Sequence, residues 1–252
     1  MKNKVPQVTL AFWLIKICAT TLGETGGDAL SMSLDLGYAV STAIFFGLFL
    51  AAVIPQIAAK SYHRFLYWTV IVTTTTVGTT MSDFLTRTAG LGYLKASILL
   101  FAIVMGILAV WYFAVGSISV ARIVDKKAEA FYWLAILFSN TLGTALGDAL
   151  SDQPGFGYAG GAFTFGGALL LIALAYRFTK ISHTGLFWAA FILTRPLGAT
   201  LGDLLTKPHD DGGLDLSRGW SSLVLVIAMV VGILWNSRKT EESTPPPAAS
   251  AS

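Results

Sequence analysis

The sequence predicts an all-α integral membrane protein with eight transmembrane helices, arranged as four helical hairpins. Three observations lead to this fold class. Of the 252 residues, 54% are hydrophobic and only 12% are charged, whereas a soluble domain carries about 25% charged residues. Long apolar runs recur along the chain, and one motif occurs four times. The charge-free runs 39–57, 96–116, 160–176 and 221–235 are long enough to cross most or all of a hydrocarbon core about 30 Å thick.

Four segments align without gaps over the pattern Trp-x9-Gly-x3-(Gly/Ser)-Asp-x-Leu-(Ser/Thr). In each segment the Trp follows a Phe or a Tyr, and a Gly-Tyr or Gly-Trp pair opens the next apolar run. Each unit therefore predicts a helix, a short loop and a second helix. The tryptophans are Trp13, Trp68, Trp133 and Trp188. Successive tryptophans are 55, 65 and 55 residues apart. This alternation indicates that one hairpin was duplicated and that the resulting pair was then duplicated as a unit, giving two tandem pairs.

The predicted helices span residues 9–32, 38–58, 64–86, 93–118, 129–151, 158–178, 184–206 and 219–236. They form repeats at about 9–58, 64–118, 129–178 and 184–236 of a single transmembrane domain, residues 1–236. Residues 237–252 contain no large apolar side chain. This segment cannot bury a core and is predicted to be a disordered cytoplasmic tail.

The basic residues between the helices predict the topology. Eleven lie on the side of both termini and four on the other side, so the positive-inside rule predicts cytoplasmic N- and C-termini. All four motif helices then run outward, as parallel repeats around an axis along the membrane normal. The repeated Trp residues and the Gly-Tyr/Trp pairs would form an aromatic belt at each membrane surface. The basic residues form no patch that indicates nucleic acid.

Small residues four apart in the motif share one helix face and let two backbones approach closely. Packing alone would explain them. Whether or not they also serve a function, the motif helices are predicted to pack on one another at the centre. The second helices are more uniformly apolar and are predicted to lie outside, towards lipid.

Five acidic residues form the candidate ion-binding site: Glu24, Asp28, Asp83, Asp148 and Asp203. A carboxylate in hydrocarbon is unfavourable unless it is solvated or paired. Four equivalent carboxylates around an axis would converge, and would share protons or recruit a cation. Glu24 lies one turn before Asp28, so these two are the candidate metal ligands. Alternatively, each Asp ends its helix by accepting hydrogen bonds from backbone amides.

Two basic residues, Lys16 and Arg195, fall inside predicted helices. Lys16 either snorkels to the cytoplasmic surface or faces the interior. Arg195 cannot lose its proton and needs a carboxylate or water partner, for which Glu24 is the expected carboxylate. The positions equivalent to Arg195 are polar in all repeats, so a polar layer is predicted beneath the acidic one. The predicted pathway-lining residues are Lys16, Thr20, Thr75, Asn140 and Arg195.

The fourfold Gly-x-x-x-(Gly/Ser)-Asp pattern resembles a family of uncharacterised bacterial membrane proteins built from four copies of a repeat of unknown function. The resemblance covers the chain up to about Asn236. It implies the bacterial inner (plasma) membrane and no settled activity. Residues 24–31, ETGGDALS, are also similar to the Glu-x-Gly-Asp-(Lys/Arg)-(Ser/Thr) motif of calcium- and manganese-exporting exchangers. They contain one extra residue and no basic residue after Asp28.

The leading functional hypothesis is a transporter that exports a small ion, foremost a divalent metal cation such as manganese. Oxygen-rich, sulfur-poor ligation favours Mg, Ca or Mn, and the carboxylates would also exchange protons. One alternative is a channel or carrier for an anion or a small organic solute, bound by Arg195 and Lys16. Another is a non-transporting scaffold or sensor. No nucleophile–base pair is visible, so neither an enzyme nor a resident cofactor is predicted. The oligomeric state stays open.

Overall fold

The computed structural model describes residues 4–120, 123 and 125–242, with the backbone alone for 237–242. Within these residues the chain forms eight long α-helices and no β-strand. Each helix begins within three residues of its predicted start. The helices are α1 (Leu10–Asp28), α2 (Gly37–Ala58), α3 (Arg64–Asp83), α4 (Gly92–Val115), α5 (Lys126–Ser151), α6 (Gly157–Phe178), α7 (His183–Thr206) and α8 (Arg218–Glu242). A π-helical turn follows α1 at Ala29–Ser33 and α3 at Phe84–Thr88.

The last helix passes the predicted domain boundary at residue 236 and ends at Glu242. Residues 243–252, the rest of the predicted disordered tail, lie outside the described residues.

Five of the described helices are long and apolar enough to cross a membrane: α2, α4, α5, α6 and α8. Four of these are the second helices of their hairpins, and most of their surface is exposed. The motif helices α1, α3 and α7 have comparable lengths but bury many polar residues inside the protein. A helical bundle with a polar interior and an apolar exterior is compatible with a multi-pass membrane protein.

The four motif helices form a closed ring at the centre, in which α1 packs on α3, α3 on α5, α5 on α7, and α7 on α1. Gly23 faces Thr75 and Gly27 faces Thr79. Since both positions advance together along the two helices, α1 and α3 run parallel. The same register recurs at the other three interfaces: Gly78 against Asn140, Gly143 against Arg195, and Gly198 against Thr20. The predicted central packing of parallel motif helices is confirmed.

The second helices lie outside this ring, as predicted. Each packs mainly on the motif helix of the following repeat: α2 on α3, α4 on α5, α6 on α7, and α8 back on α1. At the last of these interfaces, Gly232 approaches Ile15, and the Ser222 hydroxyl lies 2.7 Å from Thr25 Oγ1. In each hairpin, therefore, the first helix belongs to the ring and the second helix packs on the next helix of the ring. The ring itself is closed without a covalent link, by packing of the last repeat on the first.

An aromatic plug closes the end of the ring at which the motif helices begin. The Phe or Tyr of each repeat contacts the Trp of the next repeat. The ring centroids are 5.6 Å apart for Phe12–Trp68, 5.4 Å for Tyr67–Trp133, 6.3 Å for Tyr132–Trp188 and 5.7 Å for Phe187–Trp13. The prediction of an interfacial Trp belt is wrong for Trp68, Trp133 and Trp188, which are buried inside the protein. Because equivalent positions of the parallel motif helices lie at the same depth, each of these rings packs against an aromatic ring of the preceding repeat and not at the membrane surface.

Replacement of Gly23 by Ala tests the close helix contact. A Cβ at this position would overlap the Thr75 side chain and backbone, so we expect Gly23→Ala to lower the free energy of unfolding by roughly 1–3 kcal/mol. Gly106 lies on the exposed face of α4, where an added Cβ meets nothing within 4 Å. Gly106→Ala is the matched control and should be neutral or slightly stabilising, because Ala favours helix. Reversible unfolding in detergent measures both, and equal effects would contradict the ring register.

Candidate functional site

The five predicted acidic residues lie together at the opposite end of the ring, here called the aspartate end. All five side chains come from the last turns of the motif helices and are almost fully buried: Glu24, Asp28, Asp83, Asp148 and Asp203. The parallel register of the ring explains the convergence, because equivalent positions of the four repeats lie at the same depth. These carboxylates therefore need counter-charges within the protein.

Glu24 is paired with Arg195, as predicted. Arg195 Nη2 donates hydrogen bonds to Glu24 Oε2 at 2.8 Å and to Thr79 Oγ1 at 2.5 Å. The Arg195 side chain is fully buried because its Cβ and Cγ pack where a Cβ of Gly143 would lie. Because Gly143 has no side chain, the stem of Arg195 fits between the two helices and holds the guanidinium inside the ring. The other two guanidinium nitrogens, Nε and Nη1, have no hydrogen-bond partner among the described residues.

The four aspartates are joined in two pairs by basic residues. Arg87 Nε lies 3.1 Å from Asp83 and Arg87 Nη2 lies 3.8 Å from Asp148. Lys207 Nζ lies 2.8 Å from Asp28 and 3.1 Å from Asp203. Each basic residue follows the Asp of its own repeat by four positions and reaches the Asp of the next repeat. The carboxylates therefore recur in every repeat, whereas their counter-charges recur only in every second repeat, as the alternating Trp spacings do.

Three of the carboxylates form a tighter group, here called the carboxylate cluster: Glu24, Asp28 and Asp203. One oxygen from each lies within 4.8 Å of the others. Arg195 and Lys207 are the two cations in close contact with these three acids, and Arg218 stands farther off, at 3.9 Å from Asp28. Asp203 Oδ1 is buried and has no hydrogen-bond donor among the described residues, since Lys207 approaches it outside hydrogen-bond geometry.

The alternative that each Asp caps its helix through loop amides does not match these contacts. The α-helical segments of the first two repeats do end at Asp28 and Asp83. Within the described residues, however, the partners of the aspartate carboxylates are Arg87, Lys207 and Arg218. The motif Ser or Thr makes the local contact instead: Ser31 Oγ donates to Gly27 O at 2.8 Å. The motif Asp is therefore a member of an ion-pair layer.

The predicted pathway-lining residues are all fully buried: Lys16, Thr20, Thr75, Asn140 and Arg195. Thr20 and Thr75 donate across the helix interfaces, to Thr194 O at 3.2 Å and to Ala19 O at 3.1 Å. Asn140 Nδ2 donates to Thr74 Oγ1 at 3.0 Å. These three side chains tie neighbouring motif helices together, and a pathway along them stays a prediction.

Lys16 does not snorkel to the surface, so that alternative is wrong. Its Nζ lies 4.1 Å from the centroid of the Phe191 ring and has no hydrogen-bond partner among the described residues. The aromatic plug lies between this side chain and the near end of the bundle, which prevents the ammonium from reaching water. The ring face of Phe191 supplies a cation–π contact instead.

Sequence reasoning missed Arg87 and Lys207 as site residues and counted them only as loop charges. Their spacing of four from Asp83 and Asp203 is the signal that could have found them, because such residues share one helix face. It also missed a buried pair near the aromatic plug, Lys4 Nζ to Glu129 Oε2 at 2.7 Å. No short-range sequence pattern indicates that pair, because its two residues are 125 positions apart.

A cavity of about 300 Å³ lies at the aspartate end. Its lining includes two residues of each ion-pair group, together with Tyr158: Arg87 and Asp148, and Lys207 and Asp203. Burial alone would lower the pKa of Lys207, but the carboxylates of Asp203 and Asp28 outweigh it and raise that pKa above its ordinary value. Lys207 therefore stays cationic throughout the physiological pH range.

The fold and the ion-pair layer define a four-repeat helical bundle of membrane type with a charged interior. A family model identified as Repeat of Unknown Function (DUF347) matches the chain at residues 11–62, 66–117, 131–182 and 186–240. The chain therefore belongs to the DUF347 repeat family, and the predicted four-repeat resemblance is confirmed. No curated protein and no solved structure matches the chain. The comparisons do not show the looser similarity to calcium and manganese exchangers, which stays a hypothesis.

A double-mutant cycle tests the Glu24–Arg195 pair. Arg195→Met leaves a buried carboxylate without its cation, so we expect it to destabilise the fold by roughly 3–5 kcal/mol. Arg195→Met combined with Glu24→Gln removes both charges at nearly unchanged volume and should recover most of that loss. Unfolding of the single and double variants in detergent gives the coupling free energy. Additive effects would show that the two side chains do not form the pair.

Proposed function

We propose that the protein is a membrane transporter that exports a small cation, with a divalent metal such as manganese as the leading substrate. The observation that carries this proposal is the carboxylate cluster of Glu24, Asp28 and Asp203. Three acids face two close cations there, with Arg218 farther off, and one buried oxygen of Asp203 has an ion-pair contact to Lys207 at 3.1 Å but no hydrogen-bond donor among the described residues. A divalent ion would supply concentrated positive charge among the three acids and a direct bond to that oxygen.

The dimensions of the cluster support an oxygen-coordinated ion. Ligand oxygens bound at about 2.1 Å from Mg²⁺, or 2.3–2.6 Å from Ca²⁺, lie at most about 4–5 Å from one another. The three oxygens lie within 4.8 Å of one another, which fits a shell of Ca²⁺ size and would have to contract around a smaller ion such as Mg²⁺. The absence of sulfur and imidazole from the cluster favours Mg, Ca or Mn over Cu or Zn. Water and the remaining aspartates would complete the coordination shell.

Lys207 supplies a means of exchange in this proposal. Its ammonium contacts Asp28 and Asp203 and so occupies part of the place that a substrate cation would take. An entering ion would displace Lys207 towards the cavity of about 300 Å³ that this residue lines. On departure of the ion the lysine would return, so the carboxylates would not be left unpaired in either state. Protons would compete for the same carboxylates and could couple to the movement.

The two ends of the ring differ in a way that supports alternating access. The aspartate end has its cavity, whereas the beginning of the motif helices is closed by the aromatic plug. We place all eight helices across a bacterial inner membrane, with both termini in the cytoplasm and the aspartate end outside. The distribution of Lys and Arg between the helices supports this orientation. The described conformation is then closed towards the cytoplasm.

A second candidate function is transport of an anion or a small organic solute. Lys16 Nζ and Arg195 Nε and Nη1 are buried donors without hydrogen-bond partners among the described residues. Such donors are costly unless water or an acceptor joins them. An anion held deeper than the carboxylate cluster would satisfy them, and this observation favours that alternative.

Metal handling in cells tests the leading proposal. Asp203→Asn removes a ligand and should abolish export, so cells that carry it should accumulate as much metal under manganese stress as cells without the gene. Asp35→Asn is the matched control, since Asp35 is exposed and has a positive φ of 54° that Asn also adopts. Unchanged tolerance and accumulation for every divalent metal on loss of the gene would overturn the proposal. If Asp203→Asn instead lowers stability alone, the motif only packs helices.

Lys16→Met separates the two candidate functions. This change removes a charge that no carboxylate pairs with, and Met fills a similar volume, so the fold should tolerate it. The cation proposal expects metal export to be retained in Lys16→Met and lost in Asp28→Asn. If the substrate is an anion or a small organic solute, transport of that substrate should instead be lost in Lys16→Met and retained in Asp28→Asn. Flux into liposomes that contain the purified variants measures both.

A further inference from the structure

A groove of about 520 Å³ lies at the seam between the last repeat and the first. Apolar side chains of α2 and of the turn after α1 form most of its wall: Leu30, Leu34, Ile44, Phe45 and Leu48. Ser33, Ser217 and Arg218 lie at the aspartate end of the groove. The groove is thus apolar along most of its length, and one end, here called its mouth, carries an arginine and two serine hydroxyls. It lies where the last repeat packs on the first.

Two departures from the repeat pattern create this groove. Gly26 stands two positions before the motif Asp, where the other repeats have Met81, Leu146 and Leu201. An added Cβ at Gly26 would meet nothing within 4 Å, so the space that a Met or Leu would fill is open. Arg218 precedes the Gly-Trp pair of the fourth repeat, where the other repeats have Leu36, Leu91 and Phe156. The small residue and the charge are both unique to this seam.

The charge of Arg218 is only loosely matched within the protein. Its Nη1 donates to Ser33 Oγ at 3.1 Å, and its Nε lies 3.9 Å from Asp28. Asp28 is already bound by Lys207 at the shorter distance of 2.8 Å. Arg218 Nε is buried and has no hydrogen-bond partner among the described residues. An acceptor with negative charge at the mouth would satisfy it.

We propose that this groove binds one anionic phospholipid of the leaflet at the aspartate end. The lipid phosphate would accept hydrogen bonds from Arg218 and the Ser33 hydroxyl, and one acyl chain would lie in the groove above Gly26. A guanidinium is well suited to a phosphate because its donors match two oxygens at once. The apolar walls match a hydrocarbon chain and exclude water. This proposal does not depend on the nature of the transported substrate.

Native mass spectrometry of the purified full chain, with added phosphatidylglycerol or phosphatidylcholine of identical acyl chains, tests this site. We expect one tightly retained phosphatidylglycerol per chain and little phosphatidylcholine. Gly26→Leu, which restores the residue of the fourth repeat, should abolish that retention. Arg218→Leu should weaken phosphatidylglycerol binding about fivefold, as expected for one basic residue near anionic lipid, and Arg218→Lys should retain most of it.

Gly106→Leu is the matched control, since Gly106 also faces open space but lies on α4, away from the groove. It should leave lipid retention unchanged, and thermal unfolding of every variant confirms that it is folded. Equal retention of the two lipids, or retention that Gly26→Leu does not reduce, would overturn the proposal. So would a change of oligomeric mass in Gly26→Leu without any change in bound lipid, because a second copy of the chain would then be the occupant.

Discussion

The close approach of neighbouring motif helices at their glycines is the contact on which the rest of the structure depends. Gly23, Gly78, Gly143 and Gly198 each receive a residue of the next helix where their own side chain would be. This contact fixes the parallel register, and the register brings every motif Asp to one depth. Because the ring leaves little room between its helices, its buried charges must neutralise one another inside the protein.

The ring has fourfold packing, but its chemistry is not fourfold. Arg87 joins Asp83 to Asp148, and Lys207 joins Asp203 to Asp28, so the ion pairs have only twofold symmetry. Glu24, which only the first repeat carries, removes this symmetry as well, because it adds a third carboxylate beside the Lys207 pair. The carboxylate cluster and the lipid groove both lie where the last repeat meets the first. A noncovalent seam can open without deforming a loop, which makes it the natural place for the site that we propose to exchange an ion.

The sequence predicts the fold well because its signals are local and repeated. Apolar length, the Gly-x-x-x-(Gly/Ser) spacing and the repeat register are visible without knowledge of contacts, and the Glu24–Arg195 pair follows from the need of a buried Arg for a carboxylate. The burial of Lys16 and Trp133 was not predictable in this way, since both residue types also suit a membrane surface. The reach of Lys207 into the ring depends on the path of a loop that the helix pattern does not define.

Anomalous diffraction from crystals of the full chain grown or soaked with Mn²⁺ would show whether the carboxylate cluster binds a divalent cation. We expect one strong peak coordinated by Glu24, Asp28 and Asp203, with Lys207 Nζ moved away from Asp28 relative to its 2.8 Å contact. A peak at another group of residues would contradict the proposed site. The absence of any peak at manganese concentrations that the cell tolerates, with Lys207 still bound to Asp28, would contradict the cation-binding account itself.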